Sequence, residues 1–177
     1  MNRRSSIKTL LVLSAGAALM HSCLQDKEKS SLSLNNIKIT DREEELLSAL
    51  SETIIPKTET PGAKDVSAHL FALMMIDDCY SADDQHKFAK GLKAFEEFTN
   101  KKFDKSFVKC TPSERAEILK SVESKKDIPG EVTFFYNTMK WLTIQAFTSS
   151  EYYLTKVQVY KLVPGKFYGC VPVKKAS

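Results

Sequence analysis

Glu131-Val132-Thr133-Phe134-Phe135-Tyr136-Asn137-Thr138-Met139-Lys140-Trp141-Leu142-Thr143-Ile144-Gln145-Ala146-Phe147-Thr148-Ser149-Ser150 reads as one helix. Val132, Phe135, Met139, Leu142 and Ala146 recur at alternating steps of three and four, which places them on a single helical face. Phe134, Trp141, Ile144 and Phe147 add apolar mass on the other faces, and Lys140 is the only charge between Glu131 and Glu151. A helix apolar nearly all round is buried on most sides. The expectation is therefore a central helix with the chain's single Trp in its middle. Beyond it, Val163-Pro164-Gly165-Lys166-Phe167-Tyr168-Gly169-Cys170-Val171-Pro172-Val173 cannot remain helical, because two prolines and two glycines interrupt it. It is too apolar and aromatic for a disordered end. It is expected to wrap the domain or to dock on another protein.

Working outward, the 177 residues suffice for one domain. The formal charge of +4 is mildly basic, but Arg3, Arg4 and Lys8 all lie in the first 22 residues, which hold no Asp or Glu. Without them 23 basic residues face 22 acidic ones. The basicity belongs to the leader and gives no persistent basic face for nucleic acid.

That leader has a charged start, Asn2 to Lys8, then an apolar run from Thr9 to Met20. The pattern is a secretory signal, too short for a span of roughly 20 apolar residues. Arg3-Arg4 followed by Ile7 and Lys8 resembles the twin-arginine export signal, although Ser6 stands where an aromatic is usual. Twin-arginine export carries folded cargo, often with a cofactor already bound. Met20-His21-Ser22-Cys23 resembles a bacterial lipobox, with Cys23 as the lipidated mature N-terminus. The organisation expected is a signal peptide over 1–22, a lipidated end and flexible tether over 23–39, and a helical domain over 40–177. It places the mature protein in a bacterial periplasm, anchored to a membrane by lipid.

Within the domain, Thr40-Asp41-Arg42-Glu43 is a capping box, followed by Leu46, Leu47, Leu50 and Ile54 on one face and stopped by Pro56. A second helix is expected from about Asp65, with Val66, Leu70, Leu73 and Met74 inward and Phe71, Met75 and Ile76 beside them. A third opens at Asp83-Asp84 and carries Phe88, Leu92, Phe95 and Phe98. Phe103, Phe107 and Val108 fit a short turn. Thr111-Pro112-Ser113-Glu114 is the clearest start signal in the chain: cap, proline at the first helical position, and the reciprocal acid. The fold expected is all-α, a compact bundle of about five to six helices with an irregular C-terminal tail. Val157-Gln158-Val159-Tyr160 alternates and could form a short extended piece.

Catalytic chemistry is sparse. No serine lies in a nucleophile elbow, and no histidine pair has metal-ligand spacing on a helix. Asp77, Asp78, Cys79, Asp83, Asp84 and His86 gather potential ligands, but acids at a helix start are explained by the helix dipole. His69 reads as a satisfied boundary residue. With Cys23 lipidated, Cys79, Cys110 and Cys170 allow one bridge whose pairing the sequence does not select. No catalytic, cofactor-binding or metal residues are assigned.

Three stretches in order over residues 40–173 resemble the gluconate 2-dehydrogenase subunit 3 family. They are Glu52-Thr53-Ile54-Ile55-Pro56 with Thr60-Pro61-Gly62-Ala63, then Phe147-Thr148-Ser149-Ser150-Glu151, then Tyr160 through Val163-Pro164-Gly165 to Tyr168-Gly169-Cys170-Val171-Pro172. The chain departs from the family where Ala146-Phe147 and Tyr152-Tyr153-Leu154 replace glycine-containing positions. The resemblance implies a non-catalytic small subunit of a membrane-associated sugar or alcohol dehydrogenase. In such complexes a GMC-type large subunit holds FAD, a cytochrome c subunit often passes electrons onward, and the small subunit carries the export signal. Exposed aromatics anchor interfaces, which makes Tyr152, Tyr153, Phe167 and Tyr168 the candidate contacts. The rival readings are a stand-alone periplasmic or surface binding lipoprotein and an enzyme using Cys79 or His86.

Overall fold

The computed structural model describes residues 31–124, 128–158, 161, 163, 165, 169 and 170. Among the described residues are five α-helices: α1 Asp41–Ile54, α2 Ala68–Cys79, α3 Ala82–Phe103, α4 Pro112–Glu123 and α5 Gly130–Thr148. A 3-10 turn at Phe107–Lys109 links α3 to α4, and a π-helical turn at Tyr153–Val157 follows α5. Among the described residues there is no strand. Of the alternating stretch, Val157 ends the π turn and Gln158 is extended, while Val159 and Tyr160 lie outside the described residues.

Two helix starts follow directly from local chemistry. The Thr40 hydroxyl accepts from the Glu43 amide while the Glu43 carboxylate accepts from the Thr40 amide, and Thr111 and Glu114 repeat the exchange. Each box satisfies amides that the first turn leaves without helical partners. Ser81 caps α3 by accepting from the Asp84 amide.

α5 is the spine of the bundle, and α3 crosses it most closely. A Cβ on Gly91 of α3 would collide with the Glu131 carbonyl oxygen and lie 2.6 Å from Phe135 Cβ. The absent side chain lets the two backbones approach. Phe88, Phe95, Phe107 and Phe135 then form a continuous aromatic centre, with neighbouring ring centroids 5.1 to 5.4 Å apart. α1 closes another side with Leu46, Leu47 and Leu50, all buried. One polar pair is sealed between α1 and α5, the Ser51 and Thr143 hydroxyls at 3.2 Å. α4 is tied to α5 by Glu123, whose carboxylate accepts from the Tyr136 hydroxyl at 2.7 Å and the Lys140 ammonium at 2.6 Å.

Three expectations are corrected. α2 begins at Ala68, not Asp65. The Asp65 carboxylate instead accepts from the Gly62 amide and the Lys57 ammonium, and the chain turns through Ser67 in the left-handed region before the helix starts. The buried side of α2 is Ala68, Ala72, Leu73 and Ile76, while Met74 is 45 % exposed and faces outward. Trp141 is the second correction. It is 57 % exposed on the outer side of α5, with Ile144 at 43 %. The third concerns residues 31–39, assigned by composition to a tether. Ile37 and Ile39 are only 7 % exposed and belong to the core. A polar-rich composition hid two apolar anchors spaced two apart.

Candidate partner-docking face

α5 has two opposed stripes. Phe135, Met139, Leu142 and Ala146 enter the core. Asn137, Trp141 and Ile144 lie on the other side, because at 100° per residue Trp141 stands about 200° from Met139. Trp141 at 57 % and Ile144 at 43 % exposure each leave unrealised about half of the roughly 1.5–3 kcal/mol that full burial of a large apolar side chain is worth. An exposed Trp on a rigid helix is the residue type that dominates interface energetics.

The end of α5 is held by the segment that resembles the family's second motif. The Thr148 hydroxyl donates to the carbonyl of Ile144, and the Ser150 hydroxyl donates to that of Phe147 at 2.6 Å. The Ser150 oxygens then accept from the amides of Tyr153 and Leu154, so the serine stops one helix and starts the next turn. Phe147 sits between the two predicted interface tyrosines, its ring centroid 6.4 Å from that of Tyr152 and 6.1 Å from that of Tyr153. Both tyrosines are half-buried. Phe167 and Tyr168 lie outside the described residues, as do Arg3, Arg4 and Cys23.

The first motif also has a structural reason. Glu52, near the end of α1, accepts from the Lys57 and Lys64 amides, each at 2.9 Å, and so staples the whole loop onto the helix. Gly62 is required there: a Cβ would stand 2.6 Å from the Lys57 nitrogen and 2.7 Å from the Glu52 carboxylate oxygens. Ala63 beside it is fully buried with Ala68 and Ala146, which links the loop to the C-terminal part of α5.

Two of the other candidate groups, Asp77 and Asp84, serve structure. Asp77 is buried at the end of α2, and its carboxylate accepts from the backbone amides of Asn35, Asn36 and Ile37 at 2.7–2.8 Å. Burial pushes its pKa up, but the three amide donors together hold it below the usual carboxylate value. Asp84 pairs with Lys87 and accepts from Ser81. Among the described residues no three Asp, Glu, His or Cys side chains converge as a metal site. Cys79, Cys110 and Cys170 are all free thiols. Cys110 is buried, which raises its pKa away from the reactive thiolate. His69 departs from expectation: it is buried, and its Nδ1 has no hydrogen-bond partner.

Trp141 and Asp77 are among the residues whose roles the sequence conceals. For Trp141 a signal existed in Asn137, one turn earlier on the same stripe. For Asp77 none did, since its partners lie some forty residues away along the chain.

A five-helix domain with an aromatic-bearing helix face left open defines a small scaffold suited to association. Residues 41–165 match the family described as gluconate 2-dehydrogenase subunit 3. The chain belongs to that family. Comparisons with curated proteins and with solved structures return no match.

Proposed function

We propose that this protein is the accessory small subunit of a membrane-associated, flavin-dependent sugar or alcohol dehydrogenase of the gluconate 2-dehydrogenase kind. The FAD-bearing GMC-type large subunit performs the oxidation. This chain binds it, stabilises it and brings it through twin-arginine export, with Cys23 as a lipid anchor in the periplasm and a cytochrome c as the further partner. Family membership supports the general role. The observation that carries the docking is Trp141, half in water on a helix whose opposite stripe is core. Burying Trp141 and Ile144 under the large subunit would recover the burial free energy that the isolated chain forgoes.

The test is co-purification from cells that hold both genes. Wild-type protein is expected to bring down a yellow protein with a flavin spectrum. Trp141→Asp with Ile144→Asp is expected to lose it while keeping the helical circular dichroism spectrum, with a lowered Tm because both side chains are about half buried and Asp is a poor helix residue. Retention of the flavoprotein by the double variant sinks this face as the interface. A colourless wild-type preparation from such cells would favour a stand-alone lipoprotein.

A further inference from the structure

Residues 31–39 form a strap across the start of α1 and the end of α2. Its inner end is fixed by Asp77, which accepts three backbone amides, by Asn36 Nδ2 donating to the Asp77 carbonyl at 2.8 Å, and by buried Ile37 and Ile39. Its outer end packs Leu32 and Leu34 against the core, and its first residue, Ser31, is held by a carboxylate. Glu44 of α1 accepts from the Ser31 amide at 2.7 Å and from the Ser31 hydroxyl at 2.6 Å.

Beside that outer end is an open groove of about 380 Å³ lined by Ser31, Asp41, Glu44, Glu45, Ser48 and His69. The three acids come from the first turns of α1, and His69 comes from the first turn of α2. His69 is 9 % exposed, and its Nδ1 is the unpartnered buried nitrogen. We propose that the Ser31–Glu44 contact at the outer end of the strap is a pH-sensitive clasp, which opens when His69 takes up a proton and draws Glu44 away from Ser31. This inference stands apart from the docking of a dehydrogenase and needs no partner.

Neutral imidazole can leave one nitrogen as an unused acceptor at modest cost. Imidazolium cannot: both nitrogens become donors, and a buried donor without an acceptor is expensive. The charged groups that face His69 are Glu44, whose field favours the proton, and Lys64 before α2, whose field opposes it. Asp41 and Glu45 line the same groove but are exposed, whereas Glu44 is half-buried. Glu44 is thus the carboxylate with most to gain from a buried cation and the one already engaged by the strap. Burial is the larger influence and holds the His69 pKa below its ordinary value, so the clasp stays shut at neutral pH and yields only in acid. The Asp77 end carries no histidine among its bonded partners and is expected to hold.

The experiment follows backbone amides and the His69 ring by NMR in the mature domain from pH 7.5 to 4.5. Expected is a single midpoint, shared by the His69 ring resonances and the Ser31 amide. Ser31 should lose about tenfold of its hydrogen-exchange protection, after correction for intrinsic rates, while Ile37 keeps its own. A Ser31 amide that does not move as His69 titrates overturns the proposal. So does a Ser31 step that persists at the same pH in His69→Gln. Should that variant fold poorly, Glu44→Gln supplies the second arm: it must lower Ser31 protection at pH 7.5 and flatten the pH step, and an unchanged step again overturns the proposal.

Discussion

Gly91 shows how one missing side chain sets the bundle. Its Cα faces the first turn of α5, and any Cβ there meets the Glu131 carbonyl and Phe135 Cβ. Both obstacles are backbone or near-backbone, so the helices must separate to admit a methyl. Overpacking of this kind costs about 1–3 kcal/mol, which exceeds the helix-propensity gain of roughly 1 kcal/mol from replacing glycine. Gly91→Ala is therefore expected to lower Tm, measured by thermal circular dichroism; a raised Tm would mean that α3 and α5 are not held this tightly. His69 makes a separate claim at the same scale. Its folded-state pKa lies below the ordinary 6.5 because burial penalises the imidazolium. The unfolded chain then takes the proton first. This contribution to stability is complete above about pH 6.5 and erodes as pH falls from there through the folded value. Chemical denaturation at pH 7.5 and 5 should show the wild type losing stability in acid, and His69→Gln losing less.

At the scale of elements, α4 rests on its first turn. Thr111, Pro112 and Glu114 supply the box, and Lys105 adds an ion pair to Glu114 at 2.8 Å. The Lys105 ammonium, then the Thr111 amide, hold the Glu114 carboxyl down to about 2, so the box stays ionised through mild acid, and its support is lost only as pH falls through that value. Thr111→Ala removes the cap acceptor and is expected to cost about 1 kcal/mol; denaturant unfolding with an unchanged m-value checks it. α4 was legible from four consecutive residues because capping is local chemistry. α2 was not. Ala68-His69-Leu70-Phe71-Ala72-Leu73-Met74-Met75-Ile76 is apolar almost throughout, so no stripe in it marks the inner side, and only packing against α5 selects Ala72, Leu73 and Ile76. The same uniformity misplaced Trp141. A run that is apolar on every face fixes that a helix forms but not which residues it buries. The strap was hidden for a third reason: the Asp77 carboxylate and the amides of 35–37 meet only after α1 and α2 have packed.

At the scale of the whole molecule, the two ends of the chain would divide the labour. The described body offers a face; the leader, in the reading proposed above, offers a route. Arg3 and Arg4 are the only paired arginines in the sequence, and guanidinium groups engage a recognition surface through planar, forked donors that an ammonium cannot reproduce. Arg3→Lys with Arg4→Lys preserves charge and leaves residues 31–170 untouched, so folding and docking should survive. The proposed function then predicts a coupled defect: both this protein and the flavoprotein accumulate in the cytoplasm, as a complex that still co-purifies. Fractionation with immunoblotting of each protein reads it. The docking variant at Trp141 and Ile144 should give the complementary pattern, with this chain exported and the flavoprotein left behind. If the flavoprotein reaches the periplasm in either case, it travels by its own signal and this chain is no escort.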